Sequence, residues 1–348
     1  MYRDSTIGVV VPAYNEEGYV RKVVETMPDF VDRVYLVDDC STDGTLAEIE
    51  SAVAEKRADD PVDGAFDERW VLIHHEVNRG VGGAITTGYE RALEDRVDAT
   101  AVLAGDAQFN PDILDHVLDP VVSGDVAYAK GSRFLRDDWD AMPRFRVLGN
   151  AILTPLTQLA SGYRGLTDPQ NGYTAISLEA LEAVPLETLY EDFGFANDLL
   201  VKLNVAGLPI ADVERPAAYG YQNWKSHIDY KRFIPRLSAL LLRDFVWRLN
   251  RRYLVPEFDP VVAEYYGGVA TALVGLLGLV AGRRRGDRPS TGPVLFALGA
   301  LALVHAVLTD RENAPRVERV YLDDDRYERL ARETGASPSD GRPVPDAR

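Results

Sequence analysis

VVVPAYNEE at residues 9–17 and VYLVDDCSTDGT at residues 34–45 decide how this chain folds. Each opens with a run of β-branched and apolar residues that stops at polar ones, and the patterned segment from Glu16 to Met27 between them reads as a helix. The unit is strand, turn, helix, strand, with Glu16 and Glu17 placed where a helix N-terminus favours negative charge. Val34 to Val37 is a buried strand. Its exit carries Asp38 and Asp39, acceptor-only groups that suit the donor edge of a base or ribose hydroxyls. Asp43 reads as the cap of the following helix. Neither a G-x-G-x-x-G turn nor a Walker P-loop stands at these exits, which disfavours nicotinamide enzymes and P-loop NTPases.

The alternation continues downstream. Trp70 to His74 reads as a third strand, Gly82 to Leu93 as a helix, Ala99 to Leu103 as a fourth strand, Pro111 to Val122 as a helix and Val126 to Lys130 as a fifth strand. The polar stretch Lys56 to Glu68 reads as a surface loop. Such a βα repeat predicts an α/β domain with a Rossmann-like, mostly parallel sheet covered by helices on both faces.

With 348 residues and 46% hydrophobic content, the chain can build one large domain and an appendage. A formal charge of −17, with six lysines against 32 arginines, is the carboxylate-coated surface of proteins from high-salt cytoplasm. That surface argues against nucleic acid as a partner. The single cysteine, Cys40, excludes an internal disulfide and a cysteine zinc cluster. MYRDSTIGVVVPAYNEE lacks the basic start and long apolar core of a signal peptide, so a cytosolic catalytic domain is expected.

Two apolar segments follow, about 264–281 and 292–309, each long enough as a helix to cross a hydrocarbon core of about 30 Å. They predict a transmembrane hairpin over residues 259–310, in which glycines 267, 268, 275, 278, 292 and 299 permit close helix approach. A buried hairpin in a soluble protein is the alternative. Arg283, Arg284, Arg285 and Arg288 in the connecting loop compete with the arginines on both outer flanks, so charge alone does not orient the hairpin. Both ends must share a side, and compartment logic puts that side in the cytosol. Residues 231–258 carry Phe233, Leu237, Leu240, Leu241 and Phe245 at helical spacing among arginines, the pattern of a helix lying on lipid headgroups; packing on the catalytic core is the competing reading. Residues 311–348 read as a charged, partly disordered cytosolic tail.

Seven stretches, in order, resemble the family 2 glycosyltransferases of GT-A fold: VVPAYNEE at 10–17, VDDCSTDGT at 37–45, NRGVGGAITTGY at 78–89, LAGDAQFNPD at 103–112, KGSRF at 130–134, TDPQNGY at 167–173 and NWKSHIDYKRFIP at 223–235. Within that family they are similar to the polyprenyl-phosphate (dolichol-phosphate) mannose and glucose synthases, and with the acidic surface they point to a haloarchaeal member. The resemblance implies a catalytic domain over residues 1–230. It implies that Pro12, Tyr14, Glu16 and Asp39 line the nucleoside pocket and that Asp106 and Gln108 hold a divalent cation, Mg²⁺ or Mn²⁺, against the diphosphate.

Asp106 and the Gln108 amide supply the oxygens a hard cation prefers. The chain departs from the family's D-x-D pattern because Ala104 stands where the first aspartate is usual; this is expected to weaken the metal site or to shift coordination onto the diphosphate, and it leaves the identity of the metal open. A cation and nearby cationic side chains stabilise the leaving diphosphate; Arg79, Arg133, Lys225 and His227 are the candidates, with Ser226 donating a hydrogen bond beside the nucleotide sugar. Arg133, with Arg144 and Arg146, suits an acceptor phosphate, which a guanidinium grips bidentately. A phosphate acceptor attacks without a base, whereas a sugar hydroxyl needs one; Asp198, at an acidic position of the family, and Asp192 are the candidate bases. Asp168 and Asn171 read as loop shapers near the donor sugar, and Tyr221 and Trp224 as stacking aromatics.

The expected function is an inverting, metal-dependent, multi-pass membrane glycosyltransferase. It moves a hexose from a UDP- or GDP-sugar to polyprenyl (dolichyl) phosphate at the cytosolic face, feeding protein glycosylation or cell-surface glycan synthesis. Transfer to a hydroxyl of a lipid-linked glycan or glycolipid, and a catalytically silent nucleotide-sugar-binding subunit, are the alternatives; homo-oligomerisation is left open.

Overall fold

The computed structural model describes residues 1–59, 66–107, 110–136, 144–216, 230–255, 257–285 and 291–333. Eight strands form one sheet: β1 (Ile7–Ala13), β2 (Arg33–Asp38), β3 (Trp70–His74), β4 (Ala99–Val102), β5 (Tyr128–Ser132), β6 (Thr174–Ser177), β7 (Ile210–Glu214) and β8 (Val317–Val320). Their order is β3-β2-β1-β4-β6-β5-β7-β8, and β6 alone runs antiparallel to its neighbours. The predicted mostly parallel sheet is present. Chain order reverses between β1 and β4, and the crevice outside the C-terminal ends of such strands is where ligands of open α/β sheets bind.

Strand pleat explains the two cores. Val9 and Val11 pack on one face with α1 (Val20–Glu25), α2 (Thr45–Asp59) and α4 (Leu114–Val122), while Val10 packs on the other with α3 (Gly80–Glu94), α6 (Leu178–Ala183) and α7 (Phe195–Val205). Both faces are buried, so β1 reads as an unbroken apolar run.

Several local expectations are corrected. The first helix starts at Val20 rather than Glu16, because Gly18 adopts φ +85° and the backbone N–H groups of Glu16 and Gly18 bond to Thr45 and Glu48 instead. Helix α2 runs on through Lys56 to Asp59, into the stretch read as a loop. The segment Pro111–Ile113 is a 3₁₀ turn capped by Asn110 before α4 begins.

The largest correction concerns residues 311–333, read as tail. β8 pairs in parallel with β7, and Leu322 after it, with Tyr327, Leu330 and Ala331 of α11 (Asp324–Glu333), is buried in the same core as β1 and α4. Burying each of the larger side chains stabilises this return by about 1.5–3 kcal/mol. Polar contacts fix it further. Arg136 reaches Glu214 at 2.5 Å and the Leu322 carbonyl at 3.0 Å, and its guanidinium lies 4.2 Å from the Tyr327 ring centre. The catalytic unit is therefore completed by chain that follows the apolar hairpin.

That hairpin is α9 (Pro260–Arg285) and α10 (Gly292–Glu312), two helices long and apolar enough to cross a membrane. Leu277, Leu301, Val274 and Val304 are more than half exposed, unlike the core helices of a soluble protein. Glycine governs their contact: a Cβ on Gly275 would lie 2.3 Å from the Phe296 nitrogen, and one on Gly299 2.4 Å from that of Ala272. Gly268 and Gly292 also sit at the seam, whereas Gly267 faces open space.

Helix α8 (Tyr230–Tyr253) corrects the reading of a helix whose apolar stripe lies on lipid. Leu237, Leu240 and Leu241 are buried with Ala160 of α5 (Arg144–Ser161), so that stripe faces the protein. Ile234, Leu242 and Val246 are its exposed apolar residues.

Candidate active site

Two loops build the floor of the crevice, and they are stitched to each other. The Asn15 carboxamide accepts from the Thr42 N–H at 2.8 Å, Ser41 Oγ accepts from the Asn15 N–H at 3.0 Å, and Glu17 accepts from the Gly44 N–H at 3.0 Å. Asp43 caps α2 as expected, accepting from the Thr45 N–H at 3.0 Å and its hydroxyl at 2.6 Å. Asn15, Cys40, Ala107 and Asp168 all have positive φ, between +42° and +62°. Non-glycine residues rarely hold that conformation, and here Asn15, Cys40 and Ala107 follow the C-terminal ends of β1, β2 and β4.

Pro12 is buried near the end of β1, where its carbonyl accepts from the Gly105 N–H at 3.0 Å. That bond brings the β4 exit, with Asp106, alongside the β1 exit, with Tyr14 and Glu16. Tyr14 stands 47% exposed, free to meet a planar ligand. Burial, then the neighbouring charges of Asp106 and Asp43, push the Glu16 carboxyl up to about 7. Glu16 thus belongs beside Asp106 in an acidic set that the sequence pattern placed only in the nucleoside pocket. Among the described residues no three His, Cys, Asp or Glu side chains close into a metal site of their own. Carboxylates from two strand exits, with oxygens from a diphosphate and water completing the shell, suit a hard cation of the Mg²⁺ type. Gln108 lies outside the described residues, as do Tyr221, Trp224, Lys225, Ser226 and His227.

Asp38 and Asp39 are both buried, and each meets a histidine, His74 at the end of β3 and His75 just after it. Parallel register sets Asp38 beside His74, whose Nδ1 is 2.8 Å from the carboxylate. Asp39 lies 2.7 Å from His75 Nδ1 and accepts from the Arg79 and Gly80 N–H groups, each at 2.8 Å. In this state Asp39 shapes the turn into α3 rather than reaching outward. Sequence reading missed the two histidines, although a strand ending in Asp-Asp next to one ending in His-His was a usable signal. Arg79 is also engaged: its guanidinium holds Glu191 at 2.7 Å, which draws Glu191, another missed residue, to the crevice rim.

Arg133 follows β5, two strand positions from β4 and so about 10 Å across the sheet. It grips Asp168 bidentately, through Nε and Nη2 at 2.7 Å each. Burial alone would raise the Asp168 carboxyl, but the charge and hydrogen bonds of Arg133, with help from Lys130 and Asn171, bring it down to about 2. The Arg133 guanidinium is thereby fixed in place, 24% exposed. Arg144 and Arg146 occupy the first turn of α5.

Asp198, the candidate base, is placed away from solvent. It is fully buried in the first turn of α7, accepts from the Tyr190 N–H at 2.8 Å and is ion-paired with Lys202 one turn on. A carboxylate so enclosed clasps α7 to its surroundings. Asp192, by contrast, is 46% exposed on its side chain and accepts from the Phe193 N–H.

Comparison with known proteins bears on this arrangement. The sequence profile described as Glycosyl transferase family 2 matches residues 8–184. UDP-N-acetylglucosamine--dolichyl-phosphate N-acetylglucosaminyltransferase of Methanococcus voltae is 30% identical over 220 residues, 60% of this chain and 86% of that protein. Glycosyltransferase AglD of Haloferax volcanii is 28% identical over 74% of this chain and 39% of its own length. Among solved structures, glucosyl-3-phosphoglycerate synthase from Mycobacterium tuberculosis in complex with UDP superposes with a TM-score of 0.48 at 19% identity, over 70% of this chain and 80% of that one. With just over half of the 348 residues inside the matched profile, the chain belongs to glycosyl transferase family 2, hexosyl-transferring enzymes of GT-A fold.

Proposed function

We propose that this enzyme transfers a hexose, with inversion, from a UDP- or GDP-sugar to polyprenyl (dolichyl) phosphate at the cytosolic face of the cell membrane, for protein glycosylation or cell-surface glycan synthesis. The observation that carries the reading is the path of the chain: it leaves the sheet, passes through two apolar helices and returns as β8 in the same sheet that bears the crevice. A site tethered in this way sits beside the phase in which the hairpin is soluble, and a phosphate on an isoprenoid chain is an acceptor held in that phase. Both ends of the hairpin lie on the catalytic side, where nucleotide sugars are made. The named activity of the Methanococcus voltae relative supports the lipid-phosphate acceptor.

In this reading Tyr14 and Glu16 frame the nucleoside above a floor that Asp38 and Asp39 shape from within, and Asp106 with Gln108 and Glu16 hold a divalent cation whose charge offsets that of the departing diphosphate. Arg79, Lys225, Ser226 and His227 serve the same diphosphate. Arg133, aimed by Asp168, receives the acceptor phosphate with Arg144 and Arg146. A phosphomonoester is largely dianionic at neutral pH, so the enclosure of Asp198 costs the reaction nothing.

The test is transfer of labelled sugar from a panel of UDP- and GDP-hexoses to liposomes carrying polyprenyl phosphate, with Mg²⁺ or Mn²⁺. An acid-labile lipid bearing one sugar is the expected product. Label that enters only longer glycans would mark a hydroxyl acceptor, and donor binding without transfer would mark a silent subunit.

A further inference from the structure

The guanidinium of Arg248 is fully buried where α5, α8, α9 and α10 meet. It donates to Asp310 through Nη1 and Nη2 at 2.8 and 2.7 Å, and to the carbonyls of Ala160 and Leu159 through Nε and Nη2 at 2.9 and 3.1 Å. Those carbonyls belong to the last turn of α5, which lacks helical partners for its own oxygens. Asp310, near the end of α10, accepts two further bonds, from the Tyr253 hydroxyl of α8 at 2.6 Å and the Tyr265 hydroxyl of α9 at 3.2 Å. Gly162, at φ +81°, leaves the room this needs: a Cβ there would lie 2.7 Å from Arg248 Nη1.

We infer that Arg248 and Asp310 are positioning residues that fix the attitude of the apolar hairpin against α5, and through α5 set how far the acceptor end of the site stands from the membrane. The inference rests on the lipid-phosphate reading above. Apolar contacts between helices tolerate sliding and rotation, whereas a bidentate pair with four further directional bonds admits one arrangement. Helix α5 carries that arrangement over about 20–24 Å, from Leu159 and Ala160 at the node to Arg146 and Arg144 in its first turn. A buried ion pair adds little net stability compared with apolar residues of similar volume. What this one supplies is direction. Neither residue touches the crevice, so their loss leaves donor handling intact.

The experiment compares the wild type with Asp310→Asn and with the double variant Arg248→Met/Asp310→Leu, which removes both charges and so leaves neither uncompensated. Each full-length protein is assayed with a long polyprenyl phosphate in liposomes and with a short, detergent-dispersed prenyl phosphate, and KM for the donor is measured alongside melting temperature. The expected result is at least a tenfold loss toward the long, bilayer-held acceptor, with the short acceptor and the donor KM unchanged within twofold. Equal loss toward both acceptors in the folded double variant, or no loss toward either, overturns the inference. A wild type inactive toward both lipid phosphates would instead overturn the functional reading on which it rests.

Discussion

Replacing Asp168 with asparagine isolates the charge that aims Arg133. The substitution keeps the side-chain shape and tolerates the positive φ of this position, since asparagine visits that region readily. In the wild type the carboxyl is held at about 2 against an ordinary value of 3.8. A depressed acid contributes its stability in full above the unfolded value and loses it as pH falls through the folded one. That depression, at about 1.36 kcal/mol for each tenfold change in proton affinity, is worth about 2 kcal/mol. Asp168 is 1% exposed, so solvent screening removes little of it. Denaturant unfolding in mild detergent, followed by intrinsic fluorescence, should show the gap between wild type and Asp168→Asn shrinking by about 2 kcal/mol as pH falls from 6 to below 2. Taking the difference cancels the other carboxylates, which titrate in both proteins. A gap that stays constant across that range would refute the assignment of the charge to this pair. Freed from its clasp, Arg133 should also raise KM for the phosphate acceptor severalfold while KM for the donor holds, as measured by initial rates.

Asp106→Ala should abolish transfer, by 10²-fold or more in kcat, with the melting temperature unchanged; full activity of that variant in excess chelator would remove the cation from the site. Asp198→Asn should cost about 3–5 kcal/mol of unfolding free energy, because Lys202 is left buried without its partner, yet the pH profile of the residual transfer should match the wild type; a lost basic limb would restore Asp198 as a base. Gly275→Leu forces a side chain into the Phe296 backbone and should separate the hairpin helices, read as a lower melting temperature and faster proteolysis in proteoliposomes.

What the sequence made legible follows from how local each signal is. WVLIH at residues 70–74 delivered β3 with its bounds intact because its apolar residues are contiguous and its ends polar. TAIS, IADVE and VERV also form strands, but each is short or carries acidic residues in register with apolar ones, and only pairing with neighbours makes them strands. The charge of residues 311–333 pointed to solvent, while Leu322, Tyr327 and Leu330 at their own spacing were enough to hold them in the core. For Asp198 the missed signal was Lys202 one helical turn on, a pairing that marks a structural role when both are buried. In α8 periodicity found the apolar stripe of Leu237, Leu240 and Leu241 and said nothing of which surface would cover it. Asp38, Asp39 and Asp106 were singled out because they stand at strand exits, where α/β topology itself directs attention.

The return of β8 ties these elements into one argument. A domain that merely carried a membrane anchor at its end could swing on its last residues. Here the anchor interrupts the domain: β7 and α8 precede it, and β8 and α11 follow it and pack against β7 and α4. Two covalent connections enter the hairpin from the catalytic domain, and the Arg248 to Asp310 node joins α8, which leads into the hairpin, to the last turn of α10, which leaves it. A rigid body held at two points keeps its distance and inclination to the surface from which the hairpin emerges. The crevice, at the C-terminal ends of β1 and β4, then has a fixed height above that surface. Such an arrangement favours an acceptor whose reactive phosphate also has a fixed height, because the headgroup of a lipid is confined to the interface while its chain stays in the hydrocarbon. With the proposed lipid-phosphate acceptor, the two partners would meet in a plane rather than in a volume, and part of the orientational cost of bringing them together would be removed before they collide.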